Sequence, residues 1–289
     1  MKREFIVIFF MIFLPGLPFM CLAQSDSTAV AEEDSTFKWN PRVSIWWEFY
    51  NESTIMQQYN DNLISCSHTK PGIRITGLLG RTAEFYFLLR YGKDQHRDYW
   101  NNQAETGIGL RIKLAKKVFI APYIELIRGY YMKIPDKYPQ PEQREYNDVR
   151  TGLIFWYGWD TYSFYSSLFS LPLTFWGEIY SDISYFKSQQ KNTIGYWHIK
   201  TGFHMVQCWK SIIDLYAVSY LMKDINKDFW NNKAEIGPGL YIQPVSGLDL
   251  KFLIEYIFGT YFGIEGEDPN PYVQQYTDRR IGLIFWIGW

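Results

Sequence analysis

From Pro41 onward, apolar and polar residues alternate with a period of two. In Val43–Tyr50, Ile45, Trp47 and Phe49 fall on one face and Trp46, Glu48 and Tyr50 on the other. Ala83–Tyr91 sets Phe85, Phe87, Leu89 and Tyr91 against Glu84, Tyr86 and Arg90. Ala104–Ile112 sets Ala104, Ile108, Leu110 and Ile112 against Glu105, Gly107, Gly109 and Arg111. Alternation of this kind over eight to ten residues predicts β-strands with one apolar face. Six strands are expected at roughly 42–51, 70–79, 83–92, 103–113, 118–130 and 149–159. Six more are expected at 172–181, 196–207, 213–221, 234–243, 248–260 and 279–289.

The second six repeat the first at an offset of 130 residues. Thr151–Trp159 reads TGLIFWYGW and Ile281–Trp289 reads IGLIFWIGW. The same offset relates Trp46, Glu48 and Tyr50 to Trp176, Glu178 and Tyr180, and Glu84 to Asp214. It also relates Glu105 to Glu235, Glu125 to Glu255 and Arg150 to Arg280. No gap is needed from Ser44 to Trp159, so the chain reads as a tandem duplication, with repeats at 41–159 and 171–289.

Expected connections alternate in length. Gly80-Arg81-Thr82, Leu114–Lys117 and Pro244–Gly247 are tight, whereas 52–69, 93–102, 131–148, 182–195, 222–233 and 261–278 are long and polar. Short turns at one end and long loops at the other predict a transmembrane antiparallel up-and-down β-barrel of about twelve strands. A face turned to hydrocarbon must be apolar, and an open sheet edge is not tolerated there, so the charged faces are expected inside a closed barrel.

Composition sharpens this picture. Aromatic residues make up 19% of the 289, with 12 Trp and 23 Tyr, as the aromatic girdles of such barrels require. A net charge of −1 offers no basic face for nucleic acid. Lys2 and Arg3, the apolar run Phe5–Leu14 and Cys21-Leu22-Ala23 form the layout of a signal peptide over 1–23. Residues 24–40 begin with the acidic stretch QSDSTAVAEEDST and read as a disordered leader. The remaining cysteines, Cys66 in a long loop and Cys208 beside a short turn, are expected to stay unpaired. The last strand ends on an aromatic residue, a cue for the barrel-assembly machinery. Outer-membrane location in a Gram-negative bacterium follows as the expectation, with outer-membrane lipid as a partner.

The inferred lumen gathers the candidate pore-lining or ligand-binding residues: Trp46, Glu48, Tyr50, Glu84, Glu105, Glu125 and Arg150, then Trp176, Glu178, Tyr180, Asp214, Glu235, Glu255 and Arg280. Arg74, Arg90, Arg111, Lys200 and Lys251 accompany them. Aromatic faces stack on sugar rings while carboxylates and arginines hydrogen-bond hydroxyls, which suits saccharide. Inter-strand ion pairs holding the barrel together use the same residues. The loop motif D-[YF]-W-N-N, at Asp98–Asn102 and Asp228–Asn232, offers interfacial Trp anchors. Asp94 and Asp98, like Asp224 and Asp228, lack a full calcium-loop pattern.

Catalysis finds little support. A barrel lipase needs a Ser/His pair on adjacent positions of one face, and none of His68, His96, His198 or His204 has such a serine. No phosphate loop, CxxC or HExxH occurs, and no cofactor or metal is expected.

The unit LxLYAxxY…(K/R)D(Y/F)WNN…AExGxGLxI…(Y/L)xE…GxY (here Ile213–Tyr220, Lys227–Ile242 and Glu255–Tyr261) resembles the barrel region of exopolysaccharide-export porins. It is similar in particular to the C-terminal region of the bacteriophage adsorption protein A family. The resemblance implies an outer-membrane barrel linked to polysaccharide passage or surface recognition. Those proteins carry a long helical-repeat periplasmic region before the barrel. Either a separate periplasmic partner supplies it here, or the export role does not carry over. The expected function is a channel passing or binding saccharide, with the exit pore of an exopolysaccharide system as its specific form. A closed-lumen recognition or structural barrel is the alternative, and a lipid-modifying barrel enzyme the third.

Overall fold

The computed structural model describes residues 41–57, 61–78, 80–95, 101–115, 118–132, 144–160, 164–166, 171–187, 191–208, 211–226, 231–245, 248–262 and 274–288. The signal peptide, the leader, Trp289 and Asp98–Trp100 with Asp228–Trp230 lie outside these residues.

The elements are β1 (Arg42–Met56), β2 (Asn62–Leu78), β3 (Arg81–Asp94), β4 (Gln103–Lys113), β5 (Phe119–Tyr131), β6 (Glu145–Asp160) and β7 (Phe164–Ser166). The second half supplies β8 (Leu171–Phe186), β9 (Asn192–Cys208), β10 (Ser211–Asp224), β11 (Lys233–Gln243), β12 (Asp249–Tyr261) and β13 (Gln275–Gly288). Each long strand pairs antiparallel with its chain neighbours, β1 closes on β13, and β6 pairs with β8 past the three-residue β7. Twelve long strands therefore form a closed up-and-down barrel, as the alternation predicts.

The two halves share registers. Glu48 faces Lys70 across β1–β2, and Glu178 faces Lys200 across β8–β9. The two closing seams match as well: Tyr50 faces Trp286, Tyr180 faces Trp156, Met56 faces Arg280 and Phe186 faces Arg150. In a ring of twelve, β1 and β8 stand six strands apart, on opposite sides of the lumen.

The faces are inverted relative to a soluble barrel. On β3, Phe85, Phe87, Leu89 and Tyr91 are exposed on the outside, while Glu84, Tyr86 and Leu88 are buried within. Ile108 on β4, Leu126 on β5, and Ile254 and Phe258 on β12 continue the exposed apolar belt. Two small apolar clusters lie within the barrel: Trp46, Tyr86, Leu88 and Ile127 in the first half, and Trp176, Tyr216, Val218, Tyr241, Leu253 and Ile257 in the second.

The structure corrects two expected loops. The stretches 52–69 and 182–195 are mostly strand: β1 runs to Met56 and β2 begins at Asn62, β8 runs to Phe186 and β9 begins at Asn192. In these stretches polar residues such as Ser53 and Ser65 interrupt the outer face beside the exposed Ile55 and Leu63, so the period-two hydrophobicity weakens. Ser53 and Ser65, for instance, meet across the pair at 2.7 Å. Equivalent residues just before β2 and β9, Asp61 (φ 56°) and Lys191 (φ 59°), have left-handed backbones.

Candidate functional site

The candidate residues come together in the interior, because strict alternation turns each of them away from the exposed belt. Glu84, Glu105, Glu125, Arg150, Asp214, Glu235, Glu255 and Arg280 are buried, and so are Trp46 and Trp176. Glu48, Tyr50, Glu178 and Tyr180 keep partial exposure.

The long-loop end of the interior carries one arrangement twice. Arg150 Nε donates to Asp148 at 2.9 Å and its terminal nitrogens fork onto Glu105. Arg280 Nε donates to Asp278 at 2.8 Å and Nη2 to Glu235 at 2.6 Å. Each glutamate also accepts a tyrosine hydroxyl, Tyr146 at 2.6 Å and Tyr276 at 2.5 Å. Those rings lie against Gly129 and Gly259, where a Cβ would approach Cζ to 2.1 and 2.2 Å. A buried fork of this kind is expensive to break, since loss of one partner leaves a charge without compensation.

At mid-height, Tyr86 donates to Glu125 at 2.9 Å, and Tyr216 to Glu255 at 2.8 Å. Tyr86 and Tyr216 cover Gly109 and Gly239, which accounts for glycine at the end of the AExGxG motif. Lys70 reaches Glu125 at 3.4 Å. Lys200 instead donates to Tyr241 and lies over the rings of Tyr216, Tyr220 and Tyr241. The first half therefore uses arginine where the second uses tyrosine: Arg90 corresponds to Tyr220, and Arg111 to Tyr241.

A third arrangement recurs on β1–β2 and β8–β9. His68 Nε2 meets Glu48 at 3.2 Å and His198 Nε2 meets Glu178 at 3.0 Å. Each imidazole stacks on a tyrosine: His68 on Tyr50 at 5.4 Å and 25°, His198 on Tyr180 at 5.3 Å and 21°. The side chains of His68, Glu48, His198 and Glu178 retain 21, 19, 15 and 28% of their exposure. Two equal groups of imidazole, carboxylate and phenol thus open onto the lumen from opposite sides.

At the short-turn end, Arg74 Nε, Arg111 Nε and Lys113 Nζ converge on the fully buried Glu84 at 2.8, 2.8 and 2.9 Å. The equivalent of Arg74 is His204, which meets Asp214 at 2.5 Å. Two of the three buried side-chain polar atoms without a partner among the described residues are indole N–H groups, at Trp46 and Trp176. A buried donor left unsatisfied costs about 1–3 kcal/mol, and here the same orphan stands in both halves.

The sequence singled out the carboxylates and arginines, weighed His68 and His198 only for catalysis, and passed over Lys70, Tyr146 and Tyr276. His68, Tyr146 and Tyr276 lay in stretches expected to be loop, whereas Lys70 and His198 lay near the start of expected strands. The signal that finds them is the offset itself, since each pair recurs 130 residues on. The loop motif has a structural use: Asn102 Oδ1 accepts the Asp94 N–H at 3.2 Å, and Asn101 donates to the Asp94 carboxylate at 2.9 Å. Asn232, Asn231 and Asp224 repeat this clasp. Among the described residues, no group of three or more His, Cys, Asp or Glu is arranged to hold a metal ion.

No family model matches the chain, and no curated protein matches it. Similar solved structures include the β domain of the Bordetella autotransporter BrkA, at 9% identity and TM-score 0.37, covering 84% of this chain and 98% of that one. The transport unit of the autotransporter AIDA-I from Escherichia coli is 10% identical with TM-score 0.33, covering 92% and 95%. The outer membrane channel DcaP of Acinetobacter baumannii is 7% identical with TM-score 0.30, covering 87% and 98%. With TM-scores this low, the barrel assignment rests on the strand pairing and the inverted faces.

Proposed function

We propose that the chain is an outer-membrane β-barrel that binds saccharide in its lumen and passes it through a narrow polar section. The belt of exposed Phe, Leu and Ile around a closed sheet supports the membrane setting, because hydrocarbon accommodates apolar side chains and the closed sheet leaves it no unpaired edge. The observation that carries the saccharide reading is the facing pair of partly exposed groups, Tyr50/His68/Glu48 and Tyr180/His198/Glu178. A sugar presents an apolar ring face to the phenol and hydroxyls to the carboxylate and imidazole. Twelve strands lie between barrels filled by side chains and those with wide aqueous channels, so passage is slow and contact-limited. No catalytic role is assigned to any residue.

Planar-bilayer recording tests this. The reading expects a small conductance that maltohexaose blocks, with the block lost in Tyr50→Ala/Tyr180→Ala. An absence of conductance, together with no calorimetric binding of the oligosaccharide, contradicts it. The second reading, a closed-lumen recognition or structural barrel, is favoured by the buried forks at Arg150 and Arg280 and then takes its place.

A further inference from the structure

We infer that Trp156 and Trp286 are two stacking platforms for pyranose rings near the short-turn end of the lumen, one in each wall. Trp156 stands directly opposite Tyr180 across β6–β8, and Trp286 directly opposite Tyr50 across β1–β13. Directly opposed residues share a face of the sheet, so both indoles point inward with Tyr50 and Tyr180. They are nevertheless 47 and 42% exposed. Every other large apolar side chain exposed within a described strand belongs to the outer belt. An aromatic girdle does not account for them, because Tyr157 and Trp159, stacked at 5.8 Å, lie on the outer face of β6. Strands β6 and β13 are six apart in the ring, which sets the two indoles in opposite walls.

The second observation is that neither indole is engaged. Trp46 and Trp176 are buried, one under Arg111 at 5.1 Å and the other against Tyr241 at 6.2 Å. Trp156 and Trp286 have no ring, cation or hydrogen-bond partner among the described residues. Each lies along its own strand over a glycine. A Cβ at Gly158 would come within 3.0 Å of Trp156 Cζ2, and one at Gly288 within 2.9 Å of Trp286 Cζ2. The two glycines thus leave the room in which the indole edge rests against the wall, and the ring stays open to a solute.

The same register brings a polar group to each platform. Gly158 faces Glu178 and Gly288 faces Glu48, so each partly exposed carboxylate is the diagonal neighbour of an indole, within reach of long side chains. The two carboxylates already have cations beside them, Arg111 at 3.4 Å from Glu48 and Lys200 at 3.8 Å from Glu178. A cationic solute would meet those charges, whereas an uncharged ring bearing hydroxyls finds an apolar face and an acceptor side by side. The inference rests on the saccharide reading and deepens it: the indoles add a subsite on the short-turn side of each Tyr/His/Glu group.

The test is calorimetric titration of the purified full chain with maltohexaose. Trp156→Ala/Trp286→Ala is expected to weaken binding at least tenfold, and Trp156→Phe/Trp286→Phe, which keeps an aromatic face, to recover most of the loss. Trp159→Ala, on the outer face, is expected to leave binding unchanged. Heat-modifiable gel migration checks that every variant is folded. A second measurement needs no variant: N-bromosuccinimide oxidation of the wild type, read by peptide mass spectrometry, should reach Trp156 and Trp286 before Trp46 and Trp176, and maltohexaose should protect the first two. Equal affinity in wild type and the folded double-alanine variant, or oxidation of Trp156 and Trp286 undiminished by bound maltohexaose, overturns the inference and leaves the saccharide reading standing. No binding by the wild type overturns both.

Discussion

Arg150 and Arg280 hold the same partners 130 residues apart: an aspartate two positions earlier on the same strand, and a glutamate two strands away. Neither the aspartate nor the glutamate is accessible. Strands β4 and β6 are thereby tied across β5, and β11 and β13 across β12, beneath the long-loop ends.

Arg150→Met is expected to destabilise the barrel by about 3 kcal/mol, because Glu105 and Asp148 lose a buried cationic partner, although Glu105 keeps Arg90 at 2.9 Å. Arg280→Met should cost about the same through Glu235 and Asp278. Arg128→Met, at a pair with Glu145 that is 70 and 64% exposed, should cost no more than about 1 kcal/mol. Urea titration of the heat-modifiable band in lipid vesicles measures all three.

Gly109→Ala is expected to destabilise by about 1–3 kcal/mol through overpacking. The new Cβ would come within 2.4 Å of Tyr86 Cζ, and Gly239→Ala meets Tyr216 at 2.3 Å. Shortening the ring in Tyr86→Leu/Gly109→Ala should recover part of the loss, and the double-mutant cycle quantifies it.

Lys191→Asn should stabilise, by up to about 1 kcal/mol, since asparagine tolerates the left-handed backbone that lysine adopts there at φ 59°. The same change at Asp61 should do little, because aspartate is already tolerant. The unfolding midpoints of the two variants decide this.

Cys66 and Cys208 should show no intramolecular disulfide. Cys66 is exposed on the inner face of β2, opposite Glu52 near the long-loop end. Cys208 closes β9, paired with Ser211 across the short turn at the other end. A band shift on a non-reducing gel that disappears in Cys66→Ser contradicts the strand placement.

Strand identity, closure and the inward carboxylates were legible because β3, β4, β5 and their repeats keep a strict alternation between apolar and charged faces. The extension of β1, β2, β8 and β9 was not, since polar residues such as Ser53 and Ser65 interrupt the apolar face there and the segments look like loop. His68 was hidden for the same reason, although its recurrence as His198 carried the information, as did that of Lys70 as Lys200. Which charges pair was beyond the sequence. Contacts such as Lys70–Glu125 cross two intervening strands, and only the barrel's curvature brings them together.

The most direct test of the proposed membrane setting combines heat-modifiable migration with surface labelling of Gln95→Cys in a Cys66→Ser background. Gln95 is exposed just beyond β3, at the long-loop end. Faster migration before heating, with labelling of intact cells by a membrane-impermeant maleimide, is the predicted result. Unchanged migration and no label on intact cells would contradict an outer-membrane barrel, and with it the lumen as a site for solute.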